Sequence, residues 1–308
     1  MATPPAAETN VSTSEAPAPR ASSRARRDAH AGERYQPTEG PRADALSVVA
    51  LTALAFFVAL ILLLLLSDVV YLALSRISSG DVRDILASPA LVSGVRLSVI
   101  TSSITLLLVM LVAVPVGYAL SRYRFPGHAV LNAVVDVPIV LPPVVLGLSL
   151  LAFFGTPLGG WLRDLLRSAD LSLVSAGGIV LCQFLVSVSY CIRATKASFD
   201  AVDRRLEHVA LSLGCSRWGA FRRVTLPLAR GGLVAGGVMA WARAIGVFGP
   251  LMVFVGTSPR VQVMPTSMWL ELSVGNVEIS LTVALIATLM AGTALAFVHW
   301  LLPGRKWV

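Results

Sequence analysis

Charge is what this sequence has least of. Only 14% of its 308 residues are Asp, Glu, Lys or Arg, where a soluble globular domain carries about 25%. Hydrophobic residues make up 56% and the mean hydropathy is +0.77, which points to an integral membrane protein. Cysteine is scarce too. Cys182 and Cys191 stand nine residues apart in one apolar run, on opposite sides of a helix, and Cys215 lies in a charged segment, so no disulfide framework is possible. The histidines, His30, His128, His208 and His299, lack metal-ligand spacing, which predicts no metal site. No Gly-x-x-x-x-Gly-Lys-Ser/Thr occurs, which excludes nucleotide binding by that route, and no cofactor is expected. The apolar runs hold little beyond Arg243, Asp136 and scattered Ser and Thr, too thin a set for a membrane-embedded enzyme.

What charge there is sits in particular places. A net charge of +8 and a pI near 10.1 suit nucleic acid on their face, but the basic residues crowd the N-terminus and flank the apolar runs. That is the pattern of membrane topology, so no nucleic-acid partner is expected. Residues 1–44 are rich in Ala, Pro, Ser, Thr, Arg and Glu without apolar periodicity, and read as a disordered basic tail able to touch anionic lipid. Their length before the first apolar run argues against a cleaved signal peptide. About 20 apolar residues cross a bilayer, and six candidate spans follow, at about 46–66, 91–120, 130–154, 171–192, 231–255 and 279–302. With the N-terminus inside, the tail contributes six basic residues and the loop after the fourth span eight, which places both termini on the cytoplasmic side.

That fourth loop, about 196–230, is the exception in an apolar chain. Phe199, Val202, Leu206, Val209, Ala210 and Leu213 recur at helical spacing, with Asp200 as a candidate N-cap. Gly214 supplies a left-handed helix end, and Ser216 caps a second short helix carrying Trp218, Phe221 and Val224. Pro227 is expected to stop or redirect that helix. Two short amphipathic helices meeting at a glycine elbow make a compact cytoplasmic knob, or a helix pair resting on the bilayer surface.

The order Glu207, Ala210, Gly214, then Val224-x-Leu226-Pro227, before the penultimate span, resembles the EAA loop of ABC importer permeases. The thirteen-residue offset from Gly214 to Pro227 matches the family, whereas His208 and Val209 depart from its alanine pair and Val224 replaces its distal isoleucine. The resemblance implies an all-α fold of the type I importer kind, with six transmembrane helices in a permease domain over 45–308, in a bacterial-type inner membrane. It further implies that Glu207, Ala210, Gly214, Val224, Leu226 and Pro227 couple the chain to a separate cytoplasmic ATPase subunit, that the permease works as a homodimer, and that an extracytoplasmic binding protein delivers the solute.

"VPIVLPPVVLGLSLLAFFG", "ARAIGVFGPLMVFVG" and "MPTSMWLELSVGNVEISLTVAL" are similar to segments of molybdate-type permeases and, less closely, of sulfate permeases. The resemblance covers roughly residues 86–302 and implies an oxyanion, molybdate first with tungstate close, then sulfate. An importer for another solute and a passive channel are the alternatives. Related permeases generally carry a glutamate where this chain has Val247 and often an alanine at Pro250. Pro142, Pro143 and Pro250 remove backbone donors inside spans, as a gate or as packing kinks. Gly232 and Gly236 allow close helix approach, within the chain or at a dimer seam. Arg243 is a basic residue well inside a span, placed to serve an oxyanion path, to neutralise Asp136, or to hold carbonyls at a helix break.

Overall fold

The computed structural model describes residues 45–74, 89–168, 176–256 and 261–301, so the predicted tail 1–44 lies outside the described residues. The chain divides into two units, residues 1–61 and 62–308. The boundary falls within the first helix, α1 (Ala45–Leu74), which is strongly apolar and has no buried side chain among those described, as expected of a helix made for lipid. All regular structure among the described residues is helical.

The second unit is organised around three helices, α2 (Pro89–Arg122), α6 (Ala176–Asp200) and α9 (Leu226–Ile245). In lipid the hydrophobic effect gives helices little reason to associate, so close approach through small residues must supply the packing. The chain does this on two sides of α6. A Cβ added at Gly117 of α2 would lie 2.8 Å from Thr195 Cγ2, and one added at Gly236 of α9 would lie 2.7 Å from Ala194 Cβ. At Gly232 it would come within 2.8 Å of Ser198 Cβ. The Gly232–Gly236 pair therefore serves contact within the chain. Higher in the bundle, buried Gln183 accepts from Thr105 at 3.0 Å and donates to Thr101 at 3.3 Å, which satisfies its amide inside apolar surroundings.

Among the described residues five helical runs are long and apolar enough to cross a membrane, and a sixth crossing exists if one bent pair counts as a single span. That pair is α3 (His128–Val140) and α4 (Pro143–Gly155), which meet at 109° where one span is expected over 130–154. Proline drives its predecessor out of the helical region, and here Leu141 and Pro142 are both extended, with ψ of 134°. The result is a corner rather than a kink. The expected span 231–255 is also divided: α9 ends at Ile245 and a short α10 (Gly249–Phe254) begins after the break. Two further helices, α5 (Pro157–Ser168) and α11 (Met264–Val274), lie between spans, and α12 (Val277–Leu301) closes the described chain.

The loop expectations need two corrections. Helix α6 runs on to Asp200, so Asp200 is not an N-cap; Asp203 caps the next helix, α7 (Arg204–Ser212), by accepting from the Arg205 N–H at 2.9 Å. Pro227 does not stop a helix either. A π-helical turn over Phe221–Thr225, in which the Leu226 N–H reaches back to the Phe221 carbonyl, widens the backbone just ahead of Pro227, so that the proline is accommodated in the first turn of α9 while the helix runs on from Arg217.

Replacing Gly236 by Val should force α6 and α9 apart, at about 1–3 kcal/mol for overpacking. The expected readout is a lower unfolding temperature of the detergent-solubilised protein, with membrane insertion retained; an unchanged unfolding temperature would contradict the packing seam.

Candidate functional site

The elbow between α6 and α9 is built from local signals first. Helix α7 ends in a Schellman arrangement: Gly214 has φ 87°, its N–H bonds to Leu211 O at 3.0 Å, and the Cys215 N–H reaches Ala210 O at 3.1 Å. Ser216 then caps α8 (Arg217–Ala220), accepting from the Gly219 N–H at 3.1 Å. Gly214 is exposed, and a Cβ built there would meet nothing within 4 Å, so its glycine answers a backbone demand rather than a steric one.

The elbow is then fastened to the end of α2. Glu207 Oε1 accepts from Arg122 Nε at 2.7 Å and from Thr225 Oγ1 at 2.7 Å, while Oε2 accepts from the Tyr118 hydroxyl at 3.2 Å. The Arg122 and Glu207 side chains are only 6% and 14% exposed. Arg122 also donates to Val202 O at 2.9 Å, Ser121 Oγ donates to Asp200 Oδ1 at 2.6 Å, and Arg204 donates to the Ser121 carbonyl. Two residues at the end of one helix thus hold four points on the elbow. Tyr118 adds edge contacts to Phe199 and Phe221, with ring centroids 5.5 and 4.7 Å apart, and Trp218 stacks on Phe221 at 5.4 Å.

The predicted apolar stripe divides between two jobs. Phe199 and Val202 are buried against α2 and α9 and Ala210 is buried as well, whereas Leu206, Val209 and Leu213 remain 46%, 57% and 80% exposed. An apolar face standing on a buried polar clamp suits a docking surface. Val224 and Leu226 are half-buried in the π turn and helix start, and Pro227 is exposed. Glu207 points inward, so its direct role is to hold the elbow. Arg122, Tyr118 and Thr225 were not singled out as site residues from sequence, because they reach Glu207 from other elements.

The expected path residues fall in two places. Pro142 and Pro143 are exposed at the corner between α3 and α4, and Pro250 is buried in α10. These breaks abut: a Cβ at Gly147 would lie 2.8 Å from Pro250 Cα, and one at Gly249 would lie 3.0 Å from Val144 Cγ2. Val247, at 4% exposure, belongs to the apolar core beside Leu146, Leu150 and Leu251, which leaves no polar setting for an acid there. Arg243 is exposed, with its guanidinium over the Tyr190 ring at 5.4 Å. It does not neutralise Asp136, which forms a two-pronged ion pair with Arg193 of α6 instead. Among the described residues no three His, Cys, Asp or Glu side chains cluster as metal ligands.

Comparison with known proteins gives a family from sequence and a fold from shape. The model of the binding-protein-dependent transport system inner membrane component matches residues 113–306. The molybdate/tungstate transport system permease protein WtpB of Thermococcus kodakarensis is 37% identical over 179 residues, which cover 58% of this chain and 67% of that one. The sulfate transport system permease protein CysW of Escherichia coli (strain K12) is 32% identical over 253 residues, 79% of this chain and 85% of its own. A chain of a bacterial ABC transporter involved in the import of the acidic polysaccharide alginate superposes with a TM-score of 0.66 at 14% identity, covering 83% of this chain and 94% of that one, which shows a shared fold.

Arg122→Leu leaves the Glu207 carboxylate buried without its cation, a change that typically costs about 3–5 kcal/mol. Faster trypsin cleavage of the arginine-rich elbow and a lower unfolding temperature are expected, and Arg122→Leu/Glu207→Leu should recover much of both. A double variant no better than the single would show that the pair does not hold the elbow.

Proposed function

This chain belongs to the binding-protein-dependent transport system inner membrane components, the permease subunits of ABC importers, and on that premise we propose that it carries an oxyanion inward, with molybdate and tungstate ahead of sulfate. The observation that carries the substrate class is its likeness to the molybdate/tungstate permease, with the sulfate permease also similar. Molybdate and tungstate match in charge and nearly in size, so a single path serves both.

Energy enters through the elbow. A separate ATPase subunit docks on the exposed face of Leu206, Val209 and Leu213, around the Gly214 tip. Glu207 and Ala210 hold that face from beneath, while Val224, Leu226 and Pro227 join it to α9 without a gap in the helix. The same arrangement disfavours a passive channel, which has no use for a braced apolar protrusion. Two copies of the chain form the path, and an extracytoplasmic binding protein presents the ion. Both termini lie in the cytoplasm, where residues 1–44 form a basic tail ahead of the permease domain over 45–308. The abutting breaks at Pro142–Pro143 and Pro250 form the gate region, with Arg243 beside them.

The test is uptake of labelled molybdate, tungstate and sulfate into proteoliposomes holding the permease–ATPase complex, with ATP enclosed in the lumen and binding protein supplied outside. ATP-dependent accumulation of molybdate is expected; entry without ATP that stops at equilibration would favour the channel, and import of none of the three would reject the oxyanion. Gly214→Val should lower binding-protein-stimulated ATP hydrolysis and uptake together, since a β-branched residue at φ 87° costs about 1–3 kcal/mol. Gly214→Asn, which tolerates that backbone region, should keep most of both. Equal activity in the Val variant would remove Gly214 from the coupling.

A further inference from the structure

We propose that Arg193 and Arg243 form a two-step anion track, and that the Asp136 carboxylate is a resident occupant which a tetrahedral oxyanion displaces from Arg193. The inference rests on the oxyanion reading above and adds to it the groups that handle the ion.

Three observations converge. Arg193 and Asp136 pair through two parallel hydrogen bonds, Nε to one carboxylate oxygen and a terminal nitrogen to the other. An oxyanion offers two oxygens to the same guanidinium fork, so the carboxylate occupies a site shaped for the proposed substrate. The pair is also open, with the two side chains 39% and 37% exposed. An oxyanion that takes the carboxylate's place exchanges one set of fork contacts for another of the same kind, so the replacement leaves no donor of Arg193 unmet.

The location decides which surface this is. Asp136 lies in α3 and Arg193 in α6, both within segments apolar enough for membrane spans. Exposed charge at such positions cannot face lipid, and must face water or another protein surface. Arg243 shares the problem: it is exposed near the end of α9, and among the described residues no carboxylate pairs with it.

The register of α6 against α9 places the two arginines in sequence along one face. Ser198 lies opposite Gly232 and Ala194 opposite Gly236, so the helices run antiparallel and Arg243 comes level with residue 187. At 1.5 Å per residue, Arg193 and Arg243 stand roughly 9 Å apart along the axis. Tyr190 sits between them, under the Arg243 guanidinium at 5.4 Å. Its ring holds that cation by its face and leaves the edge donors for an anion. On α3, Asn132 bonds the His128 carbonyl at 2.9 Å and its ring at 3.0 Å, one turn and two turns from Asp136 on the same side.

The experiment compares Arg193→Gln, Arg243→Gln and the charge-neutral Asp136→Asn/Arg193→Gln in the permease–ATPase complex, reconstituted with binding protein. Labelled molybdate uptake and ATP hydrolysis are read together. Each variant should lose uptake by about tenfold or more, the effect of one lost charge contact at a barrier, while hydrolysis persists. The double variant is decisive, because it leaves no unpaired charge. If it restores uptake to the wild-type level, or if it fails to assemble, the pair is a structural brace and the track is overturned. Unchanged uptake in Arg243→Gln would remove the second step and overturn it as well. The unmodified complex reports separately on the substrate: if it imports no oxyanion, the oxyanion reading fails and takes the track with it, whereas normal wild-type uptake with indifferent variants sinks the track alone.

Discussion

A carboxylate buried in a membrane protein has to be met by a cation and by donors, or it unfolds what surrounds it. Glu207 is met by Arg122, Thr225 and Tyr118 together, and this requirement fixes the elbow. The three partners come from two segments that are 80 or more and 18 residues away in sequence, so satisfying one side chain brings the end of α2, the middle of α7 and the π turn to one point. The aromatic contact of Tyr118 with Phe221 packs beside the same point. A weaker fastening would leave the short helices α7 and α8 with little to define their direction, since four and nine residues cannot hold a helix by propensity alone.

The consequence is mechanical. Because α2 and α9 are both packed against α6 through glycine contacts, a push on the exposed face of Leu206, Val209 and Leu213 reaches three long helices as one body. The π turn matters here. Had Pro227 broken the chain, the elbow would be joined to α9 by a flexible joint, and displacement at its tip would be lost there. By accommodating the proline in the first turn, the wider turn keeps the backbone helical from Arg217 to Ile245. On the proposed reading this continuity is how ATP hydrolysis outside the membrane does work inside it.

What could be read from sequence was what local chemistry decides. Gly214 and Ser216 announce a left-handed helix end and a cap within a few residues, and both stand where expected. Asp200 and Asp203 show the limit: either can cap a helix, and the choice went to Asp203 because Asp200 is taken by Lys196 and Ser121. The prolines at 142 and 143 announce a break but not a 109° corner, whose size depends on how α4 packs against α10. The partner of Glu207 was illegible for a related reason. Arg122 reads as one more basic residue flanking a span, and only the return of the chain 85 residues later gives it a carboxylate. Pairing with Asp136 is one of three roles the sequence leaves open for Arg243, and it falls instead to Arg193, because α6 runs past the expected span end at 192 and carries that arginine alongside α3.

Stiffness at one end is useful only with compliance at the other. The two helix breaks, between α3 and α4 and between α9 and α10, lie against each other where Gly147 meets Pro250 and Gly249 meets Val144. Backbone near Pro142 and Gly246 has already left the helical ladder, so changing its angle costs few hydrogen bonds, while changing α6 would cost a full set. Motion delivered by the braced helices therefore concentrates at these corners. Arg243 lies three residues before the second corner, on the last turn of α9, and a small rotation there swings its guanidinium relative to Tyr190 and Arg193. A chain that is rigid where it receives force and jointed where its charged groups stand can alter their spacing without unfolding anything between.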